Sequence, residues 1–302
     1  MSKAKAFILR ERRFIEVDRR VNKILESRPT LEGAGVRLKR AFGHPEVPQL
    51  DPFLLLDDFR SNNPSDYLAG FPWHPHRGIE TVTYIIEGVV EHGDSMGNTG
   101  KIHSGDIQWM TAGSGIIHQE MPKQIDGTMQ GFQLWVNLPS AKKMIQPRYR
   151  DVTERMIPEV KVSKGVRVKV IAGTLDGLEG PTKDLIVDSE YLDVKMDPRT
   201  EFVHSTKKGY KVFAYIFEGK GFFTPGKETG MQNVILFEDG EKVKIRSGED
   251  GMRFLLISGK PIGEPVSWHG PIVMNRQSEL IEAYQEMEEG TFLRARKNVD
   301  DE

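Results

Sequence analysis

The chain reads as a succession of short apolar or alternating segments separated by Gly, Asn, Asp and Pro, beginning at about Gly33 and continuing to Asn137. Examples are "GVRLKRAF", "TVTYIIEG", "GKIHSGDIQWM" and "FQLWVNLP". Many short strands joined by turn residues are typical of a β-barrel or β-sandwich. The segment "EHGDSMGNTG" is rich in turn formers, so we predict that it forms a hairpin loop between two of these strands.

A second group of predicted strands follows a charged, proline-marked connection from Ser140 to Val160. It includes "VRVKVIAG", "GYKVFAYIFEGKG", "NVILFEDG" and "MRFLLISG". The segments Gly78–Val90 and Gly209–Gly221 share a Gly, a Tyr and a Glu-Gly pair in the same register, which suggests two copies of one β-fold. We therefore expect an N-terminal domain at residues 1–150 and a C-terminal domain at residues 151–302.

The pattern changes after Pro271, where apolar residues recur at helical spacing in "SELIEAYQEMEEGTFLRARK". Leu280, Ile281, Tyr284 and Met287 would form one stripe of such a helix. We expect this stripe to pack on one of the two barrels.

The amino-acid composition limits the kinds of molecule that the protein is expected to bind. The 302 residues are enough for two domains, and 42 Lys and Arg against 44 Asp and Glu leave the chain nearly neutral. A nearly neutral chain lacks the basic surface by which proteins bind nucleic acid phosphates, so small molecules and proteins are the expected partners. The chain has no Cys, which excludes disulfides, thiolate nucleophiles and thiolate metal sites.

The N-terminal segment "MSKAKAFILRERRFIEVDRR" interrupts its apolar residues with charges, and no apolar run in the chain reaches the length of a membrane span. We therefore expect a soluble, cytoplasmic protein without membrane contact. The interspersed Glu and Asp favour a solvated basic extension over a nuclear or nucleic-acid address.

Two pairs of polar residues are candidates for a metal site. In "FPWHPHRGIETVTYIIEG", His74 and His76 would point to the same side of an extended strand, and His118 and Glu120 in "GDIQWMTAGSGIIHQEMP" repeat that spacing. Three imidazoles and one carboxylate suit Fe(II), Mn(II), Ni(II), Cu(II) or Zn(II) and leave coordination positions open. The alternative, that these are surface or hydrogen-bonded core residues, is weaker for two matched pairs than for one histidine.

Other conspicuous residues have simpler interpretations. Most remaining histidines are expected to be structural, in loops or near turns: His44, His92, His103 and His269. His204 stands alone in the second half, so we expect no metal there. Aromatic residues near the ligand strands either fill the barrel or line a pocket: Trp73, Trp109 and Trp135.

Four segments together resemble the pirins, two-domain members of the cupin superfamily: "HPHRGIETVTYIIEG", "TGKIHSGDIQWMTAGSGIIHQEMP", "LDPFLLLDDF" and "HGPIVMN". The resemblance runs from about Leu38 to the C-terminal helix. It implies an all-β bicupin of two antiparallel, jelly-roll-like β-barrels with a C-terminal helix, and one metal in the N-terminal barrel only. The pirin ligands match His74, His76, His118 and Glu120. Glu80 lies near the carboxylate position of the general cupin pattern, and we expect it to have a supporting or structural role.

The resemblance also implies a function, that of a metal-dependent oxidoreductase similar to quercetin 2,3-dioxygenase. Such an enzyme cleaves flavonols with O2 and releases CO, and Fe(II) is the expected metal. Glu120 would then be the catalytic base for the 3-hydroxyl of the flavonol. The alternative is a redox-responsive regulatory protein whose metal controls binding to a transcription factor or a metabolic enzyme. A sugar-phosphate isomerase is disfavoured because only Arg77 is near enough in sequence to hold a phosphate.

Overall fold

The computed structural model describes residues 17–123 and 127–294, which form mostly antiparallel β-strands. Most of the basic N-terminal segment and the last residues of "SELIEAYQEMEEGTFLRARK" lie outside the described residues. No helix within the described ranges is long and apolar enough to cross a membrane.

The first half contains twelve strands. They are β1 (Val21–Glu26), β2 (Arg28–Glu32), β3 (Val36–Phe42), β4 (Phe53–Ser61), β5 (Phe71–His76), β6 (Ile79–Glu87), β7 (Val89–Asp94), β8 (Thr99–His103), β9 (Ile107–Thr111), β10 (Ile116–Lys123), β11 (Met129–Asn137) and β12 (Arg148–Val152). A seven-stranded sheet with the order β12-β9-β6-β11-β4-β3-β2 and a four-stranded sheet with the order β5-β10-β7-β8 enclose a cavity between them.

The second half contains another twelve strands and a helix. They are β13 (Glu159–Ser163), β14 (Val166–Ala172), β15 (Thr174–Leu175), β16 (Leu178–Glu179), β17 (Ser189–Met196), β18 (Glu201–Ser205), β19 (Lys211–Thr224), β20 (Lys227–Gly230), β21 (Asn233–Phe237), β22 (Lys242–Gly259), β23 (Ser267–His269), β24 (Ile272–Met274) and α1 (Gln277–Glu288). A nine-stranded sheet follows the order β1-β21-β19-β22-β17-β14-β13, with β18 on β22 and β20 on β19.

The predicted all-β, two-domain cupin architecture is confirmed, with two differences in detail. The strand orders end on unpaired edges within the described residues, so hydrogen bonds do not close either barrel. The connection predicted from Ser140 to Val160 is not a plain linker, because β12 joins the first sheet through β9 and β13 begins the second.

Both ends of the described chain cross to the opposite half. Strand β1 pairs with β21 in the sheet of the second half. The β23–β24 hairpin returns to the first half, where Ile272 forms a β-bridge with Arg77. Residues that follow the second half in sequence therefore pack on the first half, next to strand β5 with its two histidines.

The seven-stranded sheet is buried on both faces, and β6 shows how its residues alternate. Thr83 lines the cavity and Ile85 packs in the apolar cluster beside it, whereas Val82 and Tyr84 belong to the large cluster shared by the two halves. A strand that is buried on both faces has apolar residues at nearly every position, which explains the composition of the segment "TVTYIIEG".

Reciprocal hydrogen bonds join the two halves. Tyr84 on β6 donates its hydroxyl to Asp193 Oδ2 of the second half at 2.7 Å, and Arg253 binds both oxygens of that carboxylate. We call these three residues the Tyr84 bridge. The carboxylate is therefore held from two sides.

The second contact has the same arrangement with the halves exchanged. Tyr215 on β19 donates to Asp58 Oδ2 of the first half at 2.8 Å, and Arg60 binds Asp58. We call these residues the Tyr215 bridge. The two tyrosines are the pair that recurs in register in the sequence, so equivalent strands of the two halves contact each other in equivalent ways.

The C-terminal helix packs as expected, with one exception. Leu280 and Ala283 are buried in a cluster with Ile272 and Met274, and Ile117 of β10 packs against this cluster. Ile281, predicted to lie on the same stripe, is 50% exposed, so that part of the prediction was wrong. The helix thus covers the outer side of a strand that carries a candidate ligand.

Candidate metal centre

Strand β5 positions the first two histidines. His74 and His76 are two residues apart in an extended segment, so their side chains point to the same side. Their Nε2 atoms lie 3.1 Å apart. His76 is 2% exposed, and the His74 ring is partly buried.

Strand β10 brings the third histidine to the same place. Its burial alternates strictly, so that His118 faces inward, and the register of the antiparallel pair places His118 directly opposite His74. The candidate ligand atoms of His74, His76 and His118 all lie within 4.8 Å of one another. Two segments more than 40 residues apart in sequence therefore converge on one point.

Hydrogen bonds orient two of the rings. Nδ1 of His74 lies 2.8 Å from the carbonyl of Pro72, and Nδ1 of His76 lies 3.3 Å from the carbonyl of Pro271. A carbonyl oxygen only accepts, so both Nδ1 atoms donate and each Nε2 keeps a free lone pair. Neither ring nitrogen of His118 has a hydrogen-bond partner among the described residues, although both are buried.

These observations fit a bound cation. Burial lowers the pKa of His74, and burial together with the neighbouring histidines lowers the pKa values of His76 and His118 far more. The three rings are therefore neutral, the form that binds metals. Two lone pairs 3.1 Å apart and a buried ring without a partner would all be satisfied by one ion. The three histidines could thus hold a metal.

Glu120 faces the same interior but does not belong to the histidine group. The register of β5 and β10 shifts between His118 and Glu120, so that Glu120 lies opposite Phe71. Its Oε1 lies 3.0 Å from the Thr83 hydroxyl, whose single proton is shared between Glu120 and Gln133 Oε1 at 2.6 Å. Burial raises the pKa of Glu120 to about 7. The roles of Glu120 as ligand and base, and of the histidines as ligands, stay predictions.

A cavity of about 800 Å³ opens onto this group. Its lining includes His74, His76 and Glu120, and its walls are largely apolar and aromatic. The Trp135 ring packs edge-on to His76 with centroids 5.0 Å apart, and Trp268 packs against Trp135 at 6.0 Å. A concave, mostly apolar space with a few converging polar groups is the usual form of a small-molecule site.

Comparison with known proteins identifies the family. The family model "Pirin" matches residues 35–136, and the model "Pirin C-terminal cupin domain" matches residues 191–293. A "Pirin-like protein" of Caulobacter vibrioides is 45% identical over 275 residues, covering 91% of this chain and 99% of that protein. The chain belongs to the pirin family.

Other pirin relatives carry enzyme names. A Pseudomonas aeruginosa protein named "Putative quercetin 2,3-dioxygenase" is 41% identical over 273 residues, covering 87% of this chain and 94% of that protein. A crystal structure of quercetin 2,3-dioxygenase from Acinetobacter baumannii superimposes with a TM-score of 0.84 at 29% identity, covering 91% of this chain and 98% of that one.

The other residues singled out from the sequence have different positions in this pirin. Trp73 and Trp135 line the cavity, but Trp109 is buried in the core shared by the two halves. Glu80 is fully buried outside the cavity lining, where it accepts a hydrogen bond from Thr111 at 2.6 Å. Its position agrees with a structural role.

Two of the simpler interpretations need correction. His92 is not in a loop but in β7, buried and directly opposite Glu120. Arg77 does not face the cavity, because its guanidinium donates to the carbonyls of Ser114 and Phe292 behind β5. Nε2 of His204, the histidine without a second histidine beside it in sequence, lies 2.8 Å from a carboxylate oxygen of Glu190.

Sequence reasoning missed several cavity residues. Trp268, His269 and Pro271 come from the β23–β24 hairpin, about 150 residues beyond β10. Arg40 and Asp57 also line the cavity as an ion pair. The segment "HGPIVMN" signalled only family membership, and no local pattern in the pirin sequence indicates that these residues reach the histidines.

Proposed function

We propose that this protein is a metal-dependent dioxygenase that cleaves flavonols such as quercetin with O2 and releases CO. The observation that carries the proposal is the group of three converged, neutral histidines, two of which line a largely apolar cavity of about 800 Å³. The names of relatives at about 40% identity support the same reaction. A divalent metal, with Fe(II) as the expected ion, would activate the flavonol and dioxygen.

In this proposal His74, His76 and His118 hold the metal, and Glu120 is the fourth ligand or the base. The carbonyls of Pro72 and Pro271 fix the tautomers of the two β5 histidines, so their Nε2 atoms would be the ones available to hold a metal. Glu120, with a pKa raised to about 7 by burial, is suited to take a proton from a phenolic hydroxyl near neutral pH. The aromatic walls bind a planar substrate and exclude water from it.

The test measures quercetin consumption with and without O2 by protein loaded with one defined metal at a time. We expect oxygen-dependent loss of quercetin with release of CO. Removal of the metal with a chelator should abolish turnover. If the metal-loaded protein consumes no O2 with any flavonol, the proposed dioxygenase activity is refuted and the alternative of a regulatory protein is favoured.

Two substitutions separate metal binding from chemistry. His118→Ala should lose metal and activity together, whereas the exposed His103→Ala should lose neither. Glu120→Gln should keep appreciable metal but lose about 10²-fold in turnover, because it removes the base. Glu80→Gln, a buried carboxylate outside the cavity lining, is the matched control and should keep turnover. Full activity of metal-loaded Glu120→Gln would exclude Glu120 as the base.

A further inference from the structure

A row of polar residues crosses the cavity side of the seven-stranded sheet. Thr83 on β6 lies directly opposite Gln133 on β11, Gln133 opposite Asp57 on β4, and Asp57 opposite Arg40 on β3. Residues directly opposite on neighbouring strands share a face, and all four line the cavity. Apolar side chains ordinarily fill the interior positions of such sheets. Polar side chains there need hydrogen bonds to a ligand or to other protein groups, because their burial is otherwise unfavourable.

The two ends of the row differ in what they contact. At one end Thr83 donates to Glu120, close to the histidine group. At the other end, three strand spacings or roughly 14 Å away, is Arg40. Gln133 and Asp57 lie between these two ends, and the wall beside the row is apolar, with Leu55 and Trp135 among its residues. The cavity therefore has a polar row with two separated ends beside an apolar wall.

Arg40 is held rigidly by protein carboxylates. Its Nε donates to Asp57 Oδ1 at 2.8 Å and its Nη2 donates to Asp57 Oδ2 at 2.7 Å. Nη2 also lies 2.8 Å from Glu32 Oε1. Nη1 has no hydrogen-bond partner among the described residues, and the side chain is 16% exposed in a residue that lines the cavity. Nη1, with its two N–H groups, is therefore the part of Arg40 that is left to donate to a bound molecule.

The charges around Arg40 decide which chemical group fits there. Arg40 contacts two carboxylates, Asp57 and Glu32, and the neighbouring Arg28, directly opposite Arg40 on β2, is itself paired with Glu46. Three carboxylates against two guanidinium groups leave this end of the cavity with a net charge of about −1. An anionic group such as a phosphate or a carboxylate would be repelled. A neutral hydroxyl group can accept from Nη1 and donate to Glu32, so it matches both.

We propose that Arg40, oriented by Asp57, and Glu32 form the specificity-determining end of the cavity and bind hydroxyl groups of a neutral, hydroxylated aromatic ring of the substrate. This inference rests on the proposed function in that it takes a flavonol as the substrate class. It adds that hydroxyl groups remote from the histidines determine which flavonols bind.

The test compares anaerobic binding of quercetin with that of 3-hydroxyflavone, which has the same three rings but none of quercetin's other hydroxyl groups. Titration is followed by quenching of tryptophan fluorescence, since Trp73, Trp135 and Trp268 line the cavity. We expect the parent protein to bind quercetin at least about tenfold more tightly, as hydrogen bonds to charged groups predict. Equal binding of the two flavonols, or binding of neither, would overturn the proposal.

The main variant is Arg40→Met combined with Asp57→Leu, which removes both charges of the pair together and leaves neither buried alone. The quercetin preference should fall by about tenfold. The matched control is Arg37→Met, since Arg37 lies on the same strand but is 72% exposed and outside the cavity lining. This control should keep the preference, and a folded double variant that also keeps it would overturn the proposal.

Glu32→Met decides the question if the double variant fails to fold, because it leaves the Arg40–Asp57 pair in place. It should lower the preference by about tenfold, the effect of one lost hydrogen bond to a charged group, and an unchanged preference would then overturn the proposal. No turnover enters these measurements. Failure of the proposed reaction would leave selective binding without oxygen consumption, so the two proposals can fail separately.

Discussion

The Tyr84 and Tyr215 bridges allow the contact between the two halves to be tested one atom at a time. Tyr84→Phe removes only the hydroxyl that donates to Asp193 at 2.7 Å, and Tyr215→Phe removes only the one that donates to Asp58 at 2.8 Å. Both rings are 0% exposed and remain in place, so no cavity is created. The change in the free energy of unfolding therefore reports the hydrogen bonds.

The expected magnitude follows from the charge of the acceptors. A hydrogen bond to a charged group contributes about 1.5–3 kcal/mol. Each aspartate keeps its arginine after the substitution, because Arg253 and Arg60 still bind the two carboxylates. We therefore expect about 1.5–2 kcal/mol of destabilisation for each variant, at the low end of that range, and similar values for the two sites.

The assay is urea unfolding followed by circular dichroism and tryptophan fluorescence. Tyr191→Phe is the matched control, since Tyr191 is 1% exposed in the same interface and its hydroxyl has no partner among the described residues. Removing an unsatisfied hydroxyl should be neutral or stabilising. If Tyr84→Phe lowers the free energy of unfolding by no more than Tyr191→Phe does, the reciprocal hydrogen bonds do not stabilise the contact and the reasoning is refuted.

Two further predictions concern the region of the histidines. Burial raises the pKa of Glu120 from 4.5 to about 7, so this carboxyl binds more protons in the folded metal-free protein than in the unfolded chain between these values, and its contribution to stability should fall by about 3 kcal/mol from pH 4.5 to pH 8. The lowered pKa values of His74, His76 and His118 have the opposite effect below pH 6.5, so the prediction concerns the difference between two proteins. In urea unfolding without metal, the stability of the parent relative to Glu120→Gln should fall by this amount over the range, and a constant difference would contradict it. Lys143, 1% exposed, donates to the carbonyls of Gly78 and Val273 and to the side chain of Asn137. Lys143→Met should therefore lower the free energy of unfolding by at least about 2 kcal/mol. The exposed Lys142→Met is the control and should change it little. Equal effects of the two substitutions would exclude the buried contacts as the cause.

Strand periodicity predicted that His74 and His76 point to the same side, because residues two apart in extended chain do so. It also predicted the inward side of His118, since β10 alternates, but the approach of His118 to the other two depends on the pairing of β5 with β10. The position of Glu120 could not be predicted in the same way. It depends on the register shift in the pairing of β5 with β10, a property of two strands together.

The errors over His92 and the cavity residues have a related origin. "EHGDSMGNTG" has the composition of a loop, but pairing with β10 extends β7 as far as Asp94 and buries His92. Arg40 and Trp268 reach the cavity from β3 and from the β23–β24 hairpin, through contacts distant in sequence. Turn composition and hydrophobic period describe local structure, whereas these positions are fixed by pairing.

The two faces of β6 connect the candidate site with the contact between the halves. Thr83 orients Glu120 on the cavity side, and its neighbour Tyr84 binds Asp193 on the other side. Because consecutive residues of one strand share a rigid backbone, displacement of the second half would shift the residue that holds Glu120. In the proposed reaction, the second half would thus influence the position of Glu120. Tyr84→Phe should then lower turnover more than Tyr215→Phe, whose strand is in the second half.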